Sequence, residues 1–230
     1  MNALTEPVVA SLLVLGLLTA VAEQARGEDE ACACSKTKTC ACPKCAKAED
    51  GFKSLFDGKT LEGWEGDKKL WRVENGMIVG RSPGMRGNKF LCTTEKYGNF
   101  ELRIRFRLVG GKGNSGFQIR SEKVASYVRG YQADVGARYW GWLYDEKRRG
   151  KLAVSPPETK KHYKPDGWND YLIRCQGPKI ELTLNGFTTV KYTEKDPKIP
   201  RKGIIAPQLH GGPPMEIQVK YVHIKPLPAK

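Results

Sequence analysis

A chain of 230 residues with a formal net charge of +14, 40% hydrophobic residues, five Trp and nine Tyr is too apolar and aromatic to be disordered throughout. It is long enough for one large β domain or two small ones. Its cations are scattered: Arg103, Arg105 and Arg107 alternate along one segment and Lys147-Arg148-Arg149 is a short cluster. No nucleic-acid-binding module accompanies them, so a solvated basic surface is expected and nucleic acid is not expected as a partner; an acidic polysaccharide or an anionic envelope surface stays open.

From Val8 to Ala22 the chain is apolar except at Ser11, Gly16 and Thr19, and it closes on Ala20-Val21-Ala22 before Glu23-Gln24. A run of this length is short for a membrane span, which needs about 20 residues, and the small-x-small ending is that of a cleavage site. Residues 1–22 are therefore expected to be a secretory signal peptide and the protein extracytoplasmic. No Lys or Arg precedes Pro7, which keeps an uncleaved anchor as the alternative. Residues 23–50 carry Cys32, Cys34, Cys40, Cys42 and Cys45 among Lys and small residues, with no large apolar side chain. That composition predicts a flexible tether, suited to envelope attachment. The Cys-x-Cys and Cys-x-x-Cys spacings suit thiolates around one soft metal ion, and disulfides suit an oxidising compartment; spacing alone does not choose.

From residue 51 onward the pattern is that of strands and turns. Trp71-Arg-Val-Glu, Asn75-Gly76 and Met77-Ile-Val predict a hairpin, because Asn-Gly accepts the positive φ of a type I′ turn. Ile180 to Leu184, Asn185-Gly186 and Phe187 to Tyr192 predict a second. Phe100, Leu102, Ile104, Phe106 and Leu108 alternate with charged residues, the mark of a long strand with one buried face, and Glu216 to Ile224 reads as another. Eight or more such strands predict an all-β, two-sheet antiparallel jelly-roll sandwich. Cys92 and Cys175 sit in apolar strand contexts and are expected to be buried free thiols.

Three segments each place two hydrogen-bonding side chains one residue apart: Gln118 and Arg120, Gln132 and Asp134, Gln208 and His210. On a strand, alternate side chains share a face, so each pair shares a face, and three such strands in one sheet would gather six polar groups for a polyhydroxylated ligand. Between Ser121 and Lys164 the strand pattern loosens into a segment rich in aromatic and charged residues. There Tyr139, Trp140, Trp142 and Tyr144, with Asp145 and Glu146, are expected to form one wall of the site, with core packing of the rings as the alternative.

Gly51-Phe-Lys-Ser-Leu-Phe-Asp-Gly-Lys-Thr-Leu-Glu-Gly-Trp64, Trp71-Arg-Val-Glu-Asn-Gly, Tyr97-Gly-Asn-Phe-Glu-Leu, Gly113-Asn-Ser-Gly-Phe, Gly130-Tyr-Gln-Ala-Asp, Gly167-Trp-Asn-Asp-Tyr, Leu184-Asn-Gly and Gln208-Leu-His-Gly, in this order, resemble the 3-keto-disaccharide hydrolase domain family. That family was long grouped as a domain of unknown function. The resemblance covers 51–230. It implies a concanavalin A-like fold, export, carbohydrate as the substrate class and cleavage of sugars oxidised at C3. Gln132 and Asp134 stand where many members place Glu.

An ordinary glycosidase sets two carboxylates roughly 5 to 10 Å apart, and jelly-roll glucanases carry them on a Glu-x-Asp-x-Glu strand that this chain lacks. A 3-keto sugar offers another route. Its ketone acidifies the C2 proton, so a base and an enolate-stabilising partner expel the C1 substituent, and water adds back. Asp134 or His210 is the expected base, Arg120 the positive partner, and Gln118, Gln132 and Gln208 the sugar-binding amides. A divalent metal held by His210 and Asp134 would be an alternative electrophile. A lectin-like glycan-binding module without chemistry is the rival reading, because scaffold alone does not choose.

Overall fold

The computed structural model describes residues 51–229; the expected signal peptide, tether and five tail cysteines lie outside the described residues. Sixteen strands follow in order. They are β1 (Lys53–Ser54), β2 (Trp64–Glu65), β3 (Trp71–Glu74), β4 (Met77–Ser82), β5 (Lys89–Phe90), β6 (Cys92–Thr93), β7 (Phe100–Leu108) and β8 (Asn114–Val124). Then come β9 (Tyr127–Gly136), β10 (Leu143–Glu146), β11 (Gly150–Ala153), β12 (Asn169–Gln176), β13 (Lys179–Leu184), β14 (Phe187–Thr193), β15 (Ile204–Leu209) and β16 (Met215–Pro226).

They form an all-β antiparallel sandwich. One sheet runs β14-β13-β12-β7-β16-β4-β3, with β1 added along β16. The other runs β11-β10-β9-β8-β15-β5, and β2 pairs with β6 apart from both. The two Asn-Gly hairpins join β3 to β4 and β13 to β14. Asn75 and Gly76 have φ of 50° and 72°, and Asn185 and Gly186 have 49° and 83°, the left-handed pair that a tight hairpin needs.

The core lies between the sheets. Phe100, Leu102, Ile104, Phe106 and Leu108 of β7 all point inward, each burial contributing about 1.5–3 kcal/mol. Phe106 meets Phe117 of the facing sheet edge-on at 5.0 Å between centroids. The intervening arginines face outward and are engaged there: Arg103 lies 4.0 Å over the Phe52 ring, Arg105 is 3.5 Å from Asp170, and Arg107 donates to Gln218 at 2.9 Å. Cys92 and Cys175 are both buried and free. The segment from Ser121 to Lys164, where the strand pattern loosens, carries the end of β8, all of β9 and the β10–β11 hairpin. That extra order governs which of its side chains reach the site.

Candidate functional site

In the six-stranded sheet β9, β8 and β15 are neighbours, so the three polar pairs do share one sheet. Phe117, Ile119, Tyr131, Ala133, Val135, Ile205 and Leu209 fill the core, which turns Gln118, Gln132, Asp134 and Gln208 to the opposite, outer face. Register sets them side by side: Gln118 opposes Gln132, Gly116 opposes Asp134, and Ala206 opposes Gln118. Gln132 lies across Gly116, where an added Cβ would come within 2.6 Å of the Gln132 side chain. Glycine is required there by close approach.

The amides form a chain of hydrogen bonds. Ser121 Oγ donates to Gln118 Oε1 at 2.7 Å, Gln118 Nε2 to Gln132 Oε1 at 2.6 Å, and Gln132 Nε2 to Asp134 Oδ1 at 2.7 Å. Gln118 and Gln208 are fully buried and form the floor. Above them is a pocket of about 390 Å³ lined by Gln132, Asp134, Glu146, Lys147 and His210, by Asn88 and Asn114, and by Tyr139, Trp142 and Tyr144. His210 follows β15 directly. Its Nδ1 donates to the Gly211 carbonyl at 2.5 Å, and Gly211 N donates to Asn88 at 2.9 Å, so the loop is pinned to the strand edge. Of the buried polar atoms that have no partner among the described residues, two belong to this site: Asn114 Oδ1, on a pocket-lining residue, and Gln208 Nε2, on a floor residue.

Asp134 is 5% exposed. Burial pushes its pKa up from 3.8 to about 7, against the Gln132 hydrogen bond that lowers it and with help from the nearby Glu146 charge. Its backbone is clamped on both sides. The carbonyl accepts from Tyr171 Oη across the core at 2.9 Å and from Gly141 N at 3.1 Å, while its N–H donates to Trp142 O at 2.9 Å. Glu146 is also raised by burial, opposed by Lys147, His210 and a hydrogen bond from Asn88.

Three expected site residues go elsewhere. Arg120 sits at a register shift in β8 with φ of 49°, a bulge that turns its side chain off the outer face. Its guanidinium donates to Gly98 O at 2.7 Å, Gly177 O at 2.8 Å and Asn99 Oδ1 at 3.0 Å. It ties the two sheets together and cannot serve as the positive partner in the pocket. Trp140 is 4% exposed and stacks on Tyr163 at 4.5 Å. Trp140 and Trp142 would share a face on a strand, but this stretch is a turn and Gly141 has φ of 79°, so only Trp142 reaches the pocket. Asp145 is fully buried because 143–146 is a strand, and alternation sends it inward between Tyr144 and Glu146. There Arg149 Nε donates to it at 2.6 Å and Arg148 Nε lies 2.9 Å away.

Asn88, Asn114 and Lys147 are pocket residues missing from the sequence expectation. Asn88 precedes β5 and Lys147 has a left-handed φ of 55° just after β10; neither position carries a pattern that points to a site. Asn114 stands in Gly113-Asn-Ser-Gly-Phe, a motif noted only as part of the family resemblance. Among the described residues no three His, Cys, Asp or Glu side chains come together as a metal-ligand set. Asp134, Glu146 and His210 line the same pocket but are not drawn together as such a set, and the reaction proposed for the pocket uses no metal.

Residues 51–225 match the family described as 3-keto-alpha-glucoside-1,2-lyase-like domain. A curated protein of Bacteroides thetaiotaomicron named 3-keto-disaccharide hydrolase is 34% identical over 89 residues, which are 34% of this chain and 30% of that protein; the chain thus spans less than a third of that relative's length. Among solved structures, one from Parabacteroides distasonis provisionally named a glycosyl hydrolase superposes with a TM-score of 0.61 at 22% identity, covering 76% of this chain and 99% of that one. The carbohydrate binding module CBM66 from Bacillus subtilis superposes with a TM-score of 0.55 at 16% identity, covering 71% and 95%. These two likenesses speak for the fold.

Proposed function

The chain belongs to the 3-keto-alpha-glucoside-1,2-lyase-like family, and from that premise we propose that it cleaves glycosides whose sugar ring carries a ketone at C3. The observation that carries this reading is a buried carboxylate, Asp134, held at about 7 in a pocket whose other walls are amides, rings, Glu146, Lys147 and His210. A base with a pKa near the working pH combines a useful ionised fraction with proton affinity.

In the proposed reaction the Asp134 carboxylate takes the C2 proton, made acidic by the adjacent ketone. The electron pair moves onto the C3 oxygen, where His210 or Lys147, on the same pocket wall, meets the developing negative charge. The enolate then collapses: the C3 carbonyl reforms, C1 and C2 become doubly bonded, and the C1–O bond breaks. Glu146, whose pKa is raised, supplies the proton to the leaving oxygen. Addition of water across C1 and C2 returns a 3-keto sugar, so elimination followed by hydration is net hydrolysis. Gln132 and Asn114 hold the ring hydroxyls, and Gln208, fully buried beneath them, backs Gln132 at 3.4 Å. The apolar run before Glu23 supports placing this reaction outside the cytoplasm, with residues 23–50 as the tether.

The test is incubation of the full chain with 3-keto-trehalose or a 3-keto-glucoside in heavy water. Deuterium at C2 of the released sugar is the expected result. Asp134→Asn should lower kcat by about 10²–10⁴-fold while sparing ligand binding, and unchanged turnover removes Asp134 as the base. A second reading is favoured by the paired rings of Tyr139 and Trp142, edge-to-face at 5.2 Å on the pocket wall: a glycan-binding module. Tight binding of unoxidised glycans with no turnover of any 3-keto sugar would establish it instead.

A further inference from the structure

The catalytic pocket does not end at Asn88. That residue also lines a second cavity of about 380 Å³, nearly the volume of the first. The second cavity lies between β5, the tip of the β8–β9 hairpin and the loop after β2, and includes Lys89, Phe90, Ser126, Tyr127 and Asp67. Its base is made by Cys92, Val128 and Phe90, which belong to or pack against a small apolar cluster that Ile204 and Ala206 complete underneath. Ala206 opposes Gln118, so this base continues the sheet face that carries the amides of the first pocket.

Among the described residues Tyr127 is one of two exposed large hydrophobic side chains, at 37%. Its ring stacks on no other ring and its hydroxyl makes no hydrogen bond among the described residues. An aromatic ring left in water at the mouth of a cavity also lined by Lys89, Asp67 and Ser126 suits a ligand with one apolar face and a rim of hydroxyls. Two cavities of like size meeting at a shared asparagine on one sheet face suit a ligand built of like units.

We propose that the second cavity binds the neighbouring sugar of a saccharide at least two units long, with the Tyr127 ring as its platform. This rests on the reading of the first pocket as a 3-keto-sugar site. Lys89 and Ser126 bind the hydroxyls of the second sugar, and Asn88 sits at the linkage between the two units. The first pocket performs the chemistry, and the second selects disaccharides over simple alkyl glycosides.

The experiment compares binding of 3-keto-trehalose with binding of methyl 3-keto-glucoside by calorimetry, in the full chain carrying Asp134→Asn so that neither ligand is consumed. The disaccharide should bind about tenfold tighter. Adding Tyr127→Ala should abolish the difference and leave the methyl glycoside unaffected, whereas Tyr127→Phe should preserve it. Equal affinities, or a Tyr127→Ala variant that weakens both ligands alike, overturn the proposal. A Tyr127-dependent preference for the disaccharide in a protein whose unsubstituted form turns neither compound over keeps the second cavity and sinks the elimination chemistry. No binding of either ligand sinks both.

Discussion

Two carboxylates that are neighbours in sequence live in opposite environments. Glu146 points out of the sandwich into a pocket with Asp134 and His210. Asp145 points inward, bonded to Arg149 and Arg148. Arg149 Nη2 continues to Glu194 at 2.7 Å, and Tyr131 Oη donates to Glu194 as well, so the inner cluster fastens the β10–β11 hairpin to the chain that follows β14. The electrostatics separate the same way. Burial outweighs every opposing contact and raises Asp134 and Glu146, the latter in spite of Lys147, His210 and Asn88, while hydrogen bonds from Arg149 hold Glu194 far below the usual carboxylate range. A carboxylate with its charge compensated is a fastening. One left uncompensated in a hollow is a group whose proton is available for chemistry.

The strongest break of this contrast is in the neighbouring tryptophans. Trp140→Ala should cost about 3–5 kcal/mol of unfolding free energy by emptying a core site, with turnover per folded molecule retained. Trp142→Ala should leave thermal unfolding nearly unchanged and weaken sugar binding. Equal effects on both measurements would mean that the two rings are not sorted as described. Next comes the carboxylate pair. Asp145→Asn should destabilise by about 2–4 kcal/mol, somewhat less than breaking a fully buried ion pair, because Arg148 and Arg149 keep part of their surface in water. Glu146→Gln should instead lower kcat about tenfold or more with little change in the denaturation midpoint.

Read per pH unit, the smallest effect, and the most discriminating, is in the pH dependence of stability. The Asp134 carboxyl titrates near 3.8 when unfolded and at about 7 when folded, so the folded state holds the extra proton between those values. The stability it contributes is fully present below about 4 and is lost as pH rises through 7, with a slope of up to about 1.4 kcal/mol per pH unit. Glu194 has the opposite sign: its folded pKa is lowered, so its contribution is present above the usual carboxylate range and is lost as pH falls below it. Denaturation curves for Asp134→Asn should therefore flatten between pH 4 and 7. Those for Glu194→Gln should flatten only on the acid side. A shared pH window for the two variants would remove the distinction between the inner and outer carboxylates.

Much of the architecture could be read from local pattern. The alternation from Phe100 to Leu108 matches β7, and both Asn-Gly turns stand where hairpins turn. The pairs Gln132–Asp134 and Gln208–His210 reach the predicted face, with Gln118 beneath them. What failed did so where the strand rule was broken or where it went unrecognised. Arg120 lies on a bulge, and one residue in a left-handed conformation is enough to send its side chain toward the opposite sheet. Asp145 pairs with Glu146 only if the segment is a loop; on strand β10 alternation turns it inward. Trp140 and Trp142 part company at Gly141.

Periodicity and turn chemistry are properties of neighbouring residues, so strand positions, hairpins and the alternation of faces follow from the amino-acid order alone. Bulges, the choice of which ring is buried, and the meeting of Asn88, Asn114, Glu146 and Lys147 around Asp134 depend on contacts between segments far apart in the chain. Only packing in three dimensions sets those contacts, and with them the burial that raises Asp134 and the pairing that fixes Asp145 against Arg148 and Arg149.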